Sequence, residues 1–251
     1  MRRSLIALAF LLVLVLVPEA HALRLGGERV VIPIIGRFPG AGGSQWKTDL
    51  FINNPYEPGL TVTLRFYPFG EGVQERTVTL GQYSNATLTD VCLNTFGRAN
   101  TGGMLEVVTP VDGRIQVRAR IYNIGNPAGE FGQNVPGINW GLLNRQAQMF
   151  GLTASSANRL NLGIANPNNN PATVSIVVRS AINANLHSRT VTLQPHQVLL
   201  FNDLAATFGL ALQEGLTVEV NSLVEPIYGY VSEVRNDTGD AVFVFGVSPN
   251  S

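Results

Sequence analysis

Arg76-Thr77-Val78-Thr79-Leu80 recurs, letter for letter, as Arg189-Thr190-Val191-Thr192-Leu193, a shift of 113 positions. Other matches around this pair keep the same order and nearly the same spacing. Asn54-Pro55 returns as Asn166-Pro167, Asp90 as Asp203, and Phe96-Gly97 as Phe208-Gly209. Gly103 returns as Gly215 and Asn123 as Asn236. A period near 112 is domain-sized, far above the roughly 20–50 residues of solenoid repeats. The chain therefore reads as an internal duplication of a unit of small-domain length.

Each unit carries short runs of period two. Val62, Leu64 and Phe66 alternate with Thr61, Thr63 and Arg65. Ile115, Val117, Ala119 and Ile121 alternate with Gln116, Arg118, Arg120 and Tyr122, and in the second unit Val174, Ile176 and Val178 alternate with Thr173, Ser175 and Val177. This is the pattern of strands with one face in a core and the other largely in water. Asn53-Asn54-Pro55, Asn166 to Pro171, Gly125-Asn126-Pro127 and Asp237-Thr238-Gly239 mark turns between them. One short helical turn is expected in each unit, from Asp90 to Gly97 and from Asp203 to Gly209. Asp stands there as a cap, Gly as the stop, and Phe96 or Phe208 as a plug for the core. The fold expected is all-β: two tandem immunoglobulin-like sandwiches, residues 23–143 and 144–251, related by duplication.

The order Thr48-Asp49-Leu50, Asn54-Pro55, Val62-Thr63-Leu64, Val78-Thr79-Leu80, Asp90-Val91, Phe96-Gly97, Arg120-Ile121-Tyr122-Asn123 resembles repeats of uncharacterised secreted bacterial proteins. In the second unit Leu160-Asn161-Leu162 stands in place of Thr-Asp-Leu. The resemblance implies tandem Ig-like modules. Its motifs are strand and turn residues, so it implies no catalytic group.

Arg2-Arg3, the apolar run Leu5 to Val17, Pro18 and Ala20-His21-Ala22 follow the three-part plan of a secretory signal. Thirteen apolar residues rise only about 20 Å as a helix, short of a bilayer core. Residues 1–22 are therefore expected to be a signal peptide cleaved after Ala22, with the mature chain outside the cytoplasm and no membrane span. The whole chain has 17 basic and 17 acidic residues, and removal of Arg2, Arg3 and Glu19 leaves 15 − 16 = −1. Without a basic surplus, nucleic acid is not an expected partner.

Chemical motifs are sparse. One Cys and three His do not compose a structural zinc site. The chain has no G-x-S-x-G, H-E-x-x-H, C-x-x-C or phosphate-loop pattern. Cys92 reads as a buried small hydrophobe, and His187 and His196 as solvated loop residues at the two ends of one strand. Asp237 and Asp240 read as a hairpin turn at Gly239 rather than a calcium site. No cofactor, metal or catalytic residue is expected, and the chain is not expected to be an enzyme. A hydrolase would need facing carboxylates at the seam of the units, and no pair in the sequence announces them.

The expected role is an extracellular structural or interaction module of adhesion type, presenting loops and strand edges to a protein or polysaccharide partner. Asn54 and Asn166, in the matched turns, are candidate contact residues. Trp46, Tyr56 and Trp140 are candidates for stacking on sugars, which gives a carbohydrate-binding alternative. Val30 to Ile35, interrupted by Pro33, and Ala241 to Phe245 are apolar on both faces. Such strands must meet something beyond their own core: the other unit, a loop, or a neighbouring molecule in a fibre built by strand addition.

Overall fold

A computed structural model describes residues 26–40, 43–110 and 114–249, so the expected signal segment lies outside the described residues. The first half contains β1 (Arg29–Pro39), β2 (Gln45–Asn54), β3 (Leu60–Pro68), β4 (Gln74–Leu80), β5 (Ser84–Leu88), β6 (Thr101–Val108), β7 (Gln116–Asn123), β8 (Phe131–Pro136) and the short β9 (Ile138–Asn139). A one-turn helix α1 (Val91–Asn94) precedes β6. A 3-10 turn, Trp140–Leu142, leads into the second half. There follow β10 (Gln146–Ala154), β11 (Asn158–Ala165), β12 (Ala172–Arg179), β13 (Asn185–Leu193) and β14 (Val198–Phe201). The helical turn α2 (Leu204–Phe208) then leads to β15 (Gln213–Ser222), β16 (Tyr228–Arg235) and β17 (Ala241–Phe245).

All pairings are antiparallel, and the architecture is an all-β sandwich. In the second half one sheet runs β10-β15-β12-β13 and the other β14-β11-β16-β17. The first half repeats this order as β1-β6-β3-β4 and β5-β2-β7-β8, with its two sheets joined where the end of β1 turns over to pair with β2. The first strand of each half thus lies beside the sixth, in the sheet opposite the second.

Alternation places the cores as the sequence implies. Along β12 buried and half-buried residues strictly alternate, with Ala172, Val174, Ile176 and Val178 inside. In β3 Val62, Leu64 and Phe66 face inward. Pro33 sits at a break in the β1–β6 register between Ile32 and Ile35, where its missing N–H costs no ladder bond. A second break falls between Met149 and Leu152 in β10, with Gly151 at φ 72.

The helical turns form where expected, with two differences. Asp90 and Asp203 both adopt the left-handed region, at φ 47 and 53. Asp203 Oδ1 accepts the Ala206 N–H at 3.2 Å, as a cap should, but the Asp90 carboxylate makes no cap and pairs with Arg37. Each Asp donates its own N–H inward, Asp90 to Asp49 Oδ1 at 2.8 Å and Asp203 to Asn161 Oδ1 at 3.0 Å. Phe96 plugs the first core, against Phe66 at 5.1 Å, whereas Phe208 is half-buried.

Val30, Val31, Ile32, Ile34 and Ile35 are each at most 5% exposed, so β1 is buried on both faces. Its outer face meets the second half, and Ala165, Val198, Tyr228 and Tyr230 belong to the same apolar cluster. β17 behaves differently. Val242 and Phe245 are exposed, while Phe243 turns inward to stack on Tyr230 at 4.8 Å, so only part of the expected double burial is present. β17 packs beside β8, and the free edges of two sheets meet at the seam.

Candidate ligand site at the seam

Two clusters hold the halves together. At the first, Arg29 Nη2 donates to Glu106 Oε1 at 2.5 Å and to Pro167 O at 2.6 Å. Glu106 is almost fully buried and also accepts the Tyr67 hydroxyl at 3.3 Å. Its desolvation is offset by this pair and by Arg29 bridging to the other half. His196 lies flat on Tyr67, with ring centres 4.1 Å apart, and its Nε2 is 2.9 Å from Asn169 Oδ1. Burial raises the Tyr67 phenol to about 12, with Glu106 adding to the rise. Burial also holds the His196 imidazole below its ordinary value, against the pull of Glu106. The second cluster is polar and further along: Tyr228 donates to Pro136 O at 2.8 Å, and Gln133 Nε2 to Ser232 Oγ at 2.7 Å. Gln133 Oε1 is buried without a partner among the described residues, a local cost of about 1–3 kcal/mol.

Above this second cluster the seam opens into a cleft of about 590 Å³. The first half supplies an aromatic wall from Phe38, Trp46 and Phe69, with Ile34 and Pro39. Absent side chains set the position of these rings. A Cβ on Gly36 would lie 2.0 Å from Phe38 Cε1, and one on Gly102, its cross-strand partner, 2.9 Å from the same atom. A Cβ on Gly40 would lie 2.4 Å from Trp46 Nε1. The rings therefore rest on backbone. Trp46 Nε1 donates to Ser44 Oγ at 3.1 Å, so the polar edge of the indole is satisfied within its own half.

The second half supplies Arg159, Asn161, Asn202 and Asp203 above an apolar base that includes Leu162 and Tyr230. Arg159 uses Nη1 on Asn236 Oδ1 at 2.8 Å and has no ion pair within reach among the described residues. Burial lowers its pKa from the ordinary guanidinium value, and Asp203 opposes that shift. Asp203 is the only carboxylate among the described residues of the lining, and it already caps α2. The arrangement places aromatic side chains on one side and planar donors and acceptors on the other.

Of the sequence candidates, only Trp46 is in this cleft. Trp140 lies at the first cluster, with Nε1 on Asn168 Oδ1 at 3.2 Å and the Arg29 guanidinium 5.1 Å from its ring centre. Tyr56 is 49% exposed on a loop away from the cleft, so the three rings do not share a surface. Asn54 and Asn166 need a correction as contact residues. Both are completely buried and hold their own loops. Asn54 Nδ2 donates to Pro58 O and Gly81 O, and Asn166 Nδ2 to Asn170 O and Gln194 O. Buried amides bonded to backbone on every side present nothing to a partner.

The histidines also differ from expectation. His187 stacks on Phe208 at 4.0 Å, and His196 on Tyr67, so neither is a freely solvated loop residue. Cys92 is buried, as expected, and its thiol is pushed up to about 12 by burial, with Asp90 adding. At Asp237 the carboxylate pairs with Arg235 and falls to about 2, in a turn with Gly239 at φ 76. The described residues hold no group of three or more His, Cys, Asp or Glu placed to bind a metal, and no helix among them is long and apolar enough to cross a membrane. Sequence reasoning missed Arg159, Asn161, Asn202 and Asp203 as a group. The signal available was Asp203 as a cap and Asn161 as the replacement in the Thr-Asp-Leu triplet, but neither points to a shared wall.

No family profile matches the chain, and no curated protein matches it in sequence. Among solved structures, Thermotoga maritima 1070 is similar over 42% of this chain and 95% of its own, at 15% identity and a TM-score of 0.36. A Parabacteroides distasonis protein provisionally described as secreted is similar over 91% of this chain and 81% of its own, at 8% identity and a TM-score of 0.21. Bacteroides uniformis beta-glucuronidase 2 is similar over 80% of this chain and 26% of its own, at 11% identity and a TM-score of 0.16. Likenesses at these scores carry no argument about this chain's activity, and the identity of the fold rests on its own strands: an antiparallel all-β sandwich protein.

Proposed function

We propose that this chain is a secreted, non-catalytic binding protein, two duplicated sandwiches wide, whose ligand seat is the cleft between its halves. The observation that carries this reading is the cleft itself: a concave site of ordinary ligand size with an aromatic wall and convergent polar groups. The non-catalytic part rests on the polar wall. Acid–base hydrolysis of a glycosidic bond uses two carboxyl groups across the bond, and among the described residues this wall has one, engaged in capping. His187, His196 and Cys92 line none of it.

The test is retention of the mature protein, residues 23–251, on cell-envelope fractions and insoluble polysaccharides, beside Trp46→Ala and Tyr56→Ala. Retention of wild type and Tyr56→Ala with loss in Trp46→Ala supports the seat. Equal retention of all three places binding elsewhere and refutes it.

A further inference from the structure

The geometry points to an uncharged saccharide as the ligand of the seam cleft, a step that rests on reading that cleft as the seat. A pyranose ring has two unlike surfaces. Its axial C–H groups form an apolar face, and its hydroxyls form a rim in which each group both donates and accepts. The cleft has the complementary pair. Phe38, Trp46 and Phe69 line it from the first half. Trp46 is half-buried with its N–H already satisfied by Ser44, which leaves the indole face as its contact surface.

Opposite stand side chains suited to hydroxyls. Asn161 Oδ1 is taken by the Asp203 N–H, and its Nδ2 has no acceptor among the described residues. Asn202 is exposed, and its amide makes no bond to the described residues. Arg159 spends one of its five N–H groups, on Asn236. An apolar ligand would strip water from these groups without replacing it, at a cost for each. An anion would meet Arg159 but also Asp203, and a cation the reverse, since both charges share one wall. A neutral polyol satisfies the wall without opposing either charge. At about 590 Å³ the cleft falls in the size range of small-molecule sites, so a short stretch of a longer glycan is the unit recognised.

The experiment is calorimetric titration of mature protein with neutral hexasaccharides built from glucose, mannose, xylose or N-acetylglucosamine, beside a hexamer of uronic acid. At least one neutral hexamer is expected to bind, with a change in tryptophan emission. Trp46→Ala should weaken that binding by about tenfold or more, as loss of an aromatic anchor does. Asn202→Ala, at an exposed position that bears no packing, should weaken it with an unchanged melting temperature. Tyr56→Ala should leave it unchanged. Preference for the uronic acid hexamer, or equal binding by wild type, Trp46→Ala and Asn202→Ala, would overturn the assignment. If no sugar binds while envelope retention still depends on Trp46, the saccharide class falls and the seat survives. If retention does not depend on Trp46 either, both fall.

Discussion

Replacing Asn166 with Ala removes a completely buried amide that stands at the centre of a loop. Its Nδ2 donates to Asn170 O at 2.8 Å and Gln194 O at 3.0 Å. Its Oδ1 accepts from Asn168 N at 3.1 Å and from Asn168 Nδ2 at 2.8 Å. Each bond contributes about 1 kcal/mol net, and a little more where a buried partner is orphaned, so the four sum to about 4 kcal/mol. Asn54→Ala removes three: two donated, to Pro58 O and Gly81 O, and one accepted from Tyr56 N, or about 3 kcal/mol. With a urea m-value of about 3 kcal/mol/M for a chain of this size, the midpoints fall by about 1.3 M and 1 M. Both tryptophans, Trp46 and Trp140, are in the first half, so their emission follows that half while far-UV circular dichroism follows both. Asn54→Ala should shift the emission more. Asn166→Ala should shift the dichroism more. It should also alter native emission, because Asn168, which it releases, holds the Trp140 N–H. A midpoint loss below about 0.3 M for either variant, roughly 1 kcal/mol, would refute the view that these residues are loop anchors.

Three further outcomes follow from buried groups. Burial depresses the His196 pKa below 6.5, so the unfolded chain binds the extra proton first; the stability this residue contributes is complete above the ordinary value and lost as pH falls through the folded one. Melting temperatures of wild type and His196→Asn, a residue that tolerates the φ of 57 there, should therefore diverge less at pH 5 than at pH 8, and parallel curves would contradict this. Gly103→Ala puts a Cβ 2.0 Å from the Tyr67 carbonyl oxygen, a backbone overlap that should cost about 3 kcal/mol, whereas Gly97→Asn, with open space and φ 66, should stay within about 1 kcal/mol in the same thermal assay. Cys92 should resist a disulfide reagent at pH 8 until urea is added, since burial closes off its thiol and pushes it up to about 12; prompt labelling of folded protein would show that the first core is open.

Much of the fold was legible because strand periodicity is a local property. Alternation in Val62 to Phe66 and Val174 to Val178 fixes which face is buried without knowledge of the partner strand. The spacing of the repeated Arg-Thr-Val-Thr-Leu likewise located two edge strands, β4 and β13, in matching places. Polar residues were harder. Asn54 beside Pro55 has the composition of an exposed turn, yet a loop that folds over a sandwich end needs one buried amide to satisfy its inward carbonyls. His196 looked solvated because only tertiary packing brings Tyr67, more than 120 positions away, beneath its ring. The cleft was invisible for the same reason: its two walls come from different halves, and no local pattern encodes how those halves meet.

That meeting is one-sided. Ala165, Val198, Leu200, Tyr228, Tyr230 and Phe243 give the second half its apolar contact face. Strand register matches those places in the first half to Asn53, Asn85, Thr87, Gln116, Arg118 and Asn134. Val31, buried at the seam, corresponds by the same register to Gln148. A contact that joins unlike surfaces head to tail could in principle continue indefinitely, as repeat arrays and helical filaments do. Here the first-half positions that match the second half's contact face are polar. At those positions the first half lacks a second copy of the apolar face, so on that side the same contact does not repeat.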